Sequence, residues 1–190
     1  MSEFLLEIYG EEIPSSSQLL IESQLKLLFE NLLKENEISY KKIDTYSTSR
    51  RVTIIIFDLQ QYTKAKFKEY RGPKVEANDQ AIMGFLRSKN LNDIRLLEKK
   101  MINKSVYYVY RESIARSDVS KILEINIPGI LNSIKWIKSM RWGDNNERWI
   151  RPIKNIMTFF GKKIIKFDYA GIKSNNFTYG NYQYGSKKFK

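Results

Sequence analysis

The sequence predicts an α+β fold: a mixed, mostly antiparallel sheet covered by amphipathic helices, with an incomplete domain as part of the expectation. Three observations lead there. Short β-branched and aromatic stretches recur along the chain, long apolar stripes at helical spacing lie among them, and the two do not alternate in the strict βαβ order of a parallel sheet. The chain has 190 residues, 42% of them hydrophobic and 28% charged. That is ordinary globular composition, enough for one sizeable core or one plus a partial second.

Taken in order, Phe4, Leu6 and Ile8 alternate with Leu5, Glu7 and Tyr9 and read as a strand ending at Gly10. Pro14 and the candidate N-caps Ser15-Ser16-Ser17 precede a stripe of Ile21, Leu25, Leu28 and Leu32, with Phe29 and Leu33 beside it, predicting a helix over 16–36. Residues 39–46 and 50–59 read as strands. The second, Val52-Thr53-Ile54-Ile55-Ile56-Phe57, is apolar enough to be buried on both faces. Residues 60–78 are polar and basic around Gly72-Pro73, an exposed excursion and a point of subdivision. Asn78-Asp79 caps a short helix through Lys89, with Ala81, Ile82, Phe85 and Leu86 inward. Residues 94–100 and 105–112 form a hairpin around Ile102-Asn103-Lys104. Ser117-Asp118 starts a helix that Pro128 restarts or kinks, its stripe continuing through Ile130, Ile134 and Ile137. Residues 153–160 and 163–169 form a second hairpin over Gly161-Lys162, a pair suited to a type II′ turn. A basic, aromatic tail runs from Lys173 to Lys190.

Composition excludes several chemistries. With no cysteine there is no disulfide framework or thiolate zinc site, and a reducing cytoplasm is the expected location. With no histidine there is no Ser-His-Asp or Cys-His arrangement and no imidazole ligand. The N-terminus lacks a basic region before its apolar residues, so no secretory signal is expected. Ile54-Ile55-Ile56-Phe57, the longest apolar cluster, is far short of the roughly 20 residues that span a bilayer, so no membrane partner is expected.

The formal charge is +12. Abundant Lys, Ile and Asn together are what an AT-rich coding composition would produce whatever the function. Drift of that kind acts evenly along a chain, however, and the charge here is uneven. Residues 1–63 hold six Lys and Arg against ten Asp and Glu, whereas residues 64–190 hold 27 against 11. The asymmetry favours a polyanion-facing surface on the C-terminal two-thirds.

Among the motifs, Glu11-Glu12 reads either as solvated charge at a strand-to-helix junction or as a site for a cation or a basic partner. The segment from Gly180 to Lys187 has the glycine separation of a phosphate loop, but Lys and Ser are in reversed order and no helix follows, so it is dismissed. The tail interleaves Phe177, Tyr179, Tyr182, Tyr184 and Phe189 with Lys173, Lys187, Lys188 and Lys190. That pattern fits both base stacking and a half-buried strand. Met140-Arg141-Trp142-Gly143 followed by Trp149-Ile150-Arg151-Pro152 is the most information-rich stretch. It reads as arginines that clamp anions beside packed indoles, as a helix-to-strand corner, or as both.

Together these motifs resemble the N-terminal region of the beta subunit of the bacterial two-subunit glycyl-tRNA synthetase. The residues that carry the resemblance are Phe4-Leu5-Leu6-Glu7-Ile8-Tyr9-Gly10-Glu11-Glu12-Ile13-Pro14, Ser49-Arg50-Arg51, Arg71-Gly72-Pro73, Gly84-Phe85-Leu86-Arg87, Met140-Arg141-Trp142-Gly143 and Ile150-Arg151-Pro152, in that order. Two departures stand out: Tyr9 where the family has glycine, and Tyr179-Gly180-Asn181 where it has Arg-Gly-His. The resemblance covers nearly all of residues 1–190 and implies a truncated N-terminal α+β region of a longer subunit. It implies a class II glycine–tRNA ligase in which the alpha subunit activates glycine, so that ATP and magnesium bind there and this chain holds no cofactor, metal or catalytic residue. The implied partners are the alpha subunit, in a hetero-oligomer, and glycine tRNA. Candidate contacts for RNA or a partner are Arg50, Arg51, Arg71, Arg141, Trp142, Arg151, Lys187 and Lys188. A stand-alone basic RNA-binding or protein-docking module is the alternative. In either case the purified chain, given glycine, ATP, magnesium and tRNA, should form no glycyl-tRNA above background in a charging assay; measurable charging would refute the expectation.

Overall fold

A computed structural model describes residues 2–181 and 187–189. The chain divides into two compact units, Met1–Lys64 with Ser117–Lys190, and Ala65–Arg116, and each is described by itself.

In the first unit, β1 (Ser2–Gly10), β2 (Lys42–Ser47), β3 (Arg51–Leu59) and β7 (Ile153–Phe160) form one sheet in the order β2-β3-β1-β7, each pair of neighbours antiparallel. Period-two alternation sends Phe4, Leu6 and Ile8 of β1 and Val52, Ile54 and Ile56 of β3 to one face, where all six are buried. Two helices cover that face, α1 (Ser15–Glu35) and α3 (Val119–Asn132). Each presents a stripe at strict four-residue spacing: Ile21, Leu25, Phe29 and Leu33 on α1, and Val119, Leu123, Ile127 and Leu131 on α3. All belong to one core with the sheet residues, and each such side chain contributes about 1.5–3 kcal/mol by burial. Among the described residues no helix is long and apolar enough to cross a membrane.

Several expectations are corrected here. β3 is not buried on both faces, because helices cover only one; Ile55 and Phe57 on the other remain half-exposed. Ser15, Ser16 and Ser17 lie inside the first turn of α1 and do not cap it. Pro14 holds the cap position, and its carbonyl accepts from the Ser17 amide at 2.9 Å. Asp118 caps α3 as expected, accepting from the Ser120 amide at 2.9 Å, and Pro128 is accommodated within the helix. The stripe stops sooner than predicted: Ile134 is buried beyond the helix end, but Ile137 is 72% exposed.

The turn at Gly161 forms with the expected positive φ of 59°, yet residues 163–167 do not continue as a strand. The chain pairs once, at Lys163, and then turns inward. The Thr158 hydroxyl, buried beneath the sheet, donates to the Ile165 carbonyl (2.9 Å) and accepts from the Ile165 amide (3.1 Å), seating Ile165 in the core. Only the short hairpin of β8 (Asp168–Tyr169) and β9 (Ile172–Lys173) follows, and then Asn175 pairs with the free edge of β7. β10 (Thr178–Tyr179) and β11 (Lys188–Phe189) pair with each other. Tyr182, Tyr184 and Lys190 of the tail, and the interior of the Gly180–Lys187 segment, lie outside the described residues.

The second unit is a three-stranded antiparallel sheet in the order β4-β6-β5, from β4 (Lys66–Lys74), β5 (Glu98–Ile102) and β6 (Ser105–Ile114). α2 (Asp79–Ser88) packs on one face, where Ile82, Leu97 and Tyr108 form a small buried cluster with Phe85 and Leu86 against it. β4 occupies the stretch expected to be an exposed excursion. Its basic composition hid it, because one face of a small sheet stays in water. Gly72 sits at a register shift where an added Cβ would lie 2.7 Å from the Phe85 ring. The Asn78 side chain caps α2, accepting from the Ala81 amide at 3.0 Å, although Ala81 itself faces outward. Residues 94–96 form a 3₁₀ turn, so the predicted strand begins only at Glu98; Asn103 and Lys104, both at positive φ, close the hairpin as a two-residue turn.

In the first unit, the Arg-Trp corner owes its form to indole packing. Trp149 is 2% exposed, lies edge-on to Trp136 (4.8 Å) and Tyr169 (6.0 Å), and exchanges two backbone hydrogen bonds with Met140 (2.8 and 3.1 Å). Arg141 beside it is exposed. Trp149→Ala should therefore cost about 3–5 kcal/mol in urea denaturation, while Arg141→Ala and Ile137→Ala should each stay within about 0.5 kcal/mol.

Candidate functional site

The strongest concentration of motif residues lies at one end of the four-stranded sheet in the first unit. Gly10 leaves β1 between two other motif segments: its amide donates to the Arg50 carbonyl (3.0 Å), and the next amide, of Glu11, donates to the Pro152 carbonyl (3.0 Å). A Cβ on Gly10 would stand 2.7 Å from that same Pro152 oxygen, so only glycine fits. The Ile13 amide donates to the Ser49 carbonyl, which closes the node. Three segments far apart in sequence, Tyr9–Pro14, Ser49–Arg51 and Ile150–Pro152, are thus joined through their backbones.

Arg51 and Arg50 both flank this node and line one shallow concavity with Tyr9, Thr48 and Gly180. Arg51 lies on the sheet face away from the helices, in register with Tyr9. Its Nη1 donates to Glu7 Oε1 (2.7 Å) and Thr178 Oγ1 (2.7 Å); its Nη2 donates to the Tyr179 carbonyl and to the Gly180 carbonyl (3.2 Å). The guanidinium also sits 4.7 Å above the Tyr9 ring, and Tyr9 in turn packs on Tyr179 at 5.6 Å. The Thr178 hydroxyl donates to Glu7, and Asn155 Nδ2 donates to the Phe177 carbonyl at 2.8 Å. Arg50 faces Glu12 (3.4 Å) and Glu11 (3.6 Å), and Lys154 pairs with Glu11 at 2.5 Å. The hydrogen bond from the Lys154 ammonium holds the Glu11 carboxyl below the usual carboxylate range. The acidic pair therefore meets basic groups of its own chain.

The other candidates are distributed. Lys188 belongs to this end, its ammonium 4.5 Å over the Phe177 ring and 5.9 Å from Tyr179, and Lys187 lies 5.9 Å from the Phe189 ring. Arg151 is exposed and donates to the Ile150 carbonyl at 3.0 Å. Trp142 is half-buried against the core, whereas Arg141 faces solvent; neither arginine of the corner stacks on an indole among the described residues. Arg71 is in the second unit, its guanidinium 3.8 Å above the Tyr107 ring. Sequence reasoning missed Glu7, Tyr9, Asn155 and Thr178 as partners of the node. An available signal was Glu7 itself, a charge in an apolar strand that period two puts on the same face as Arg51. At Tyr179-Gly180, where the sequence departs from the resemblance, Arg51 is met by backbone carbonyls.

Against this geometry the comparisons with known proteins are decisive. The family model described as glycyl-tRNA synthetase beta subunit matches residues 4–190. The chain belongs to that family. Among curated relatives, the glycine–tRNA ligase beta subunit of Rickettsia bellii (strain OSU 85-389) is 36% identical over 190 residues, 100% of this chain and 29% of the relative. The corresponding subunit of Rickettsia typhi is 35% identical over 190 residues, covering 100% of this chain and 28% of its own length. That of Rickettsia felis is 34% identical over 181 residues, 95% of this chain and 27% of its own. The chain thus spans less than a third of the length of these relatives, and every motif that joins the node falls within the matched residues.

A guanidinium with a carboxylate, a hydroxyl and two carbonyls around it holds chain segments together. Arg51→Ala should cost about 1–3 kcal/mol and should speed amide exchange across Phe177–Gly180. Arg51→Lys should not restore the protection, because an ammonium cannot reproduce the planar fork; full protection in the lysine variant would contradict this role.

Proposed function

We propose that the chain is a non-catalytic N-terminal module of a glycine–tRNA ligase beta subunit, supporting subunit assembly and tRNA binding for the attachment of glycine to tRNA. The observation that carries the reading is the family match over residues 4–190. The internal pairing at the node supports it: the motif arginines Arg50 and Arg51 meet carboxylates and carbonyls of their own chain, which suits a part that shapes and docks. The chemistry of a class II ligase, with ATP and magnesium, then belongs to the alpha subunit. The hetero-oligomer with that subunit, binding of glycine tRNA and a cytoplasmic location follow from the same reading.

A second reading, a stand-alone basic RNA-binding module, is favoured by one specific observation, the excess of positive charge after residue 64. Co-expression with a tagged glycyl-tRNA synthetase alpha subunit separates the two. The proposal expects the chain to co-elute with the alpha subunit through affinity and size-exclusion steps and to bind glycine tRNA with salt-sensitive affinity. Binding of tRNA without any co-elution would favour the second reading, and neither interaction would overturn both.

A further inference from the structure

The second unit carries twelve Lys and Arg against six Asp and Glu, and its sheet has a helix on only one side. Tyr108 points to α2, so by strand alternation Tyr107 points to the opposite face. Around Tyr107 the register gathers cations from both neighbouring strands: Lys74 of β4 and Lys100 of β5 are paired with it, and Arg71 of β4 lies over it. The Arg71 guanidinium stands 3.8 Å from the Tyr107 ring centroid, and the Lys74 ammonium 6.0 Å. Arg71, Lys74 and Lys100 are exposed.

The acids on this face are already neutralised. Glu69 bonds Lys100 (2.7 Å) and Arg111 (2.9 Å), and Glu98 lies 3.7 Å from Arg111. Among the described residues no carboxylate pairs with Arg71 or Lys74. This helix-free face thus presents the half-exposed Tyr107 ring, a planar cation stacked on it and a further cation beside it, with its carboxylates occupied; Val109, two residues along the same face, is buried. An unpaired nucleotide matches this on each count: a flat base for the tyrosine or the guanidinium plane, and phosphates for the ammonium groups.

We propose that this face, centred on Tyr107 with Arg71 and Lys74, docks a single-stranded segment of RNA. The proposal rests on the tRNA-binding part of the function proposed above. It differs from a duplex-binding surface because an aromatic ring on a sheet face stacks only a base that is not already stacked in a helix.

The test titrates the full chain into a short fluorescein-labelled oligouridylate and into duplex RNA of the same length, by anisotropy over a range of salt. Tyr107→Ala should weaken oligouridylate binding between about five- and 150-fold with little change in salt slope, and Tyr107→Phe should retain it. Lys74→Gln should weaken binding and lower the log–log salt slope by about 0.7. Duplex RNA should bind more weakly and respond little to Tyr107→Ala. Wild-type affinity and slope in both Tyr107→Ala and Lys74→Gln would overturn the assignment while leaving the proposed tRNA role standing. Absence of RNA binding by the wild-type chain would overturn both. Loss of alpha-subunit co-elution with oligouridylate binding intact would make the face a protein dock, which also overturns the proposal.

Discussion

The guanidinium of Arg51 satisfies five partners at once: the Glu7 carboxylate, the Thr178 hydroxyl, the carbonyls of Tyr179 and Gly180, and the Tyr9 ring. The placement of Thr178, Tyr179 and Gly180 against the sheet depends on that convergence. β1 and β3 would pair without it, because their buried residues specify the register. The stretch after β9, however, has few apolar anchors of its own. It is held by polar contacts: Asn175 on the β7 backbone, Asn155 on the Phe177 carbonyl, and Arg51 on the next three residues. A carboxylate on the strand beside Arg51 orients the fork, and the fork then fixes chain from the far end of the sequence.

The node at Gly10 complements this through sterics. Its backbone passes so close to the Pro152 carbonyl that no side chain fits, and its amide is used by the Arg50 carbonyl. Short motifs that look unrelated along the sequence, Gly-Glu-Glu-Ile-Pro, Ser-Arg-Arg and Ile-Arg-Pro, are therefore parts of one object. Each constrains the others through these backbone contacts. That mutual constraint does not by itself mark a ligand site, and the division of labour follows: the arginines at the node pair inward, while the exposed cations of the second unit face outward over tyrosine.

The elements with strong periodicity were legible in the sequence. The stripes of α1 and α3, the alternation of β1, and the caps Asn78 and Asp118 announce themselves because local chemistry and burial agree there. Legibility failed where tertiary contacts override local pattern. β4, with Lys66, Lys68 and Arg71 among its residues, reads as loop because half of its small sheet stays wet. Residues 163–167 leave the sheet because the Thr158 hydroxyl offers the Ile165 backbone a partner inside the core. Ile137 continues a helical stripe in sequence, yet the helix ends at Asn132 and the stripe has nothing left to pack on. At the candidate site, Arg50, Arg51 and the acidic pair Glu11-Glu12 were visible as charged residues, but the Arg51 partners Thr178 and Tyr179 were not, since they lie more than a hundred positions away. Tyr107 falls within the predicted strand 105–112, but its cations come from two different strands, a juxtaposition that only the register reveals.

The central claim is that the node pairs inward and the second unit meets RNA. Amide hydrogen exchange of the chain with and without glycine tRNA tests it directly. The account expects slow exchange at Tyr9–Glu11 and Phe177–Gly180 in both states, and new protection on adding tRNA along Lys66–Lys74 and Ser105–Ile114. New protection confined to Ser49–Arg51 and the tail, with residues 65–116 unchanged, would contradict it.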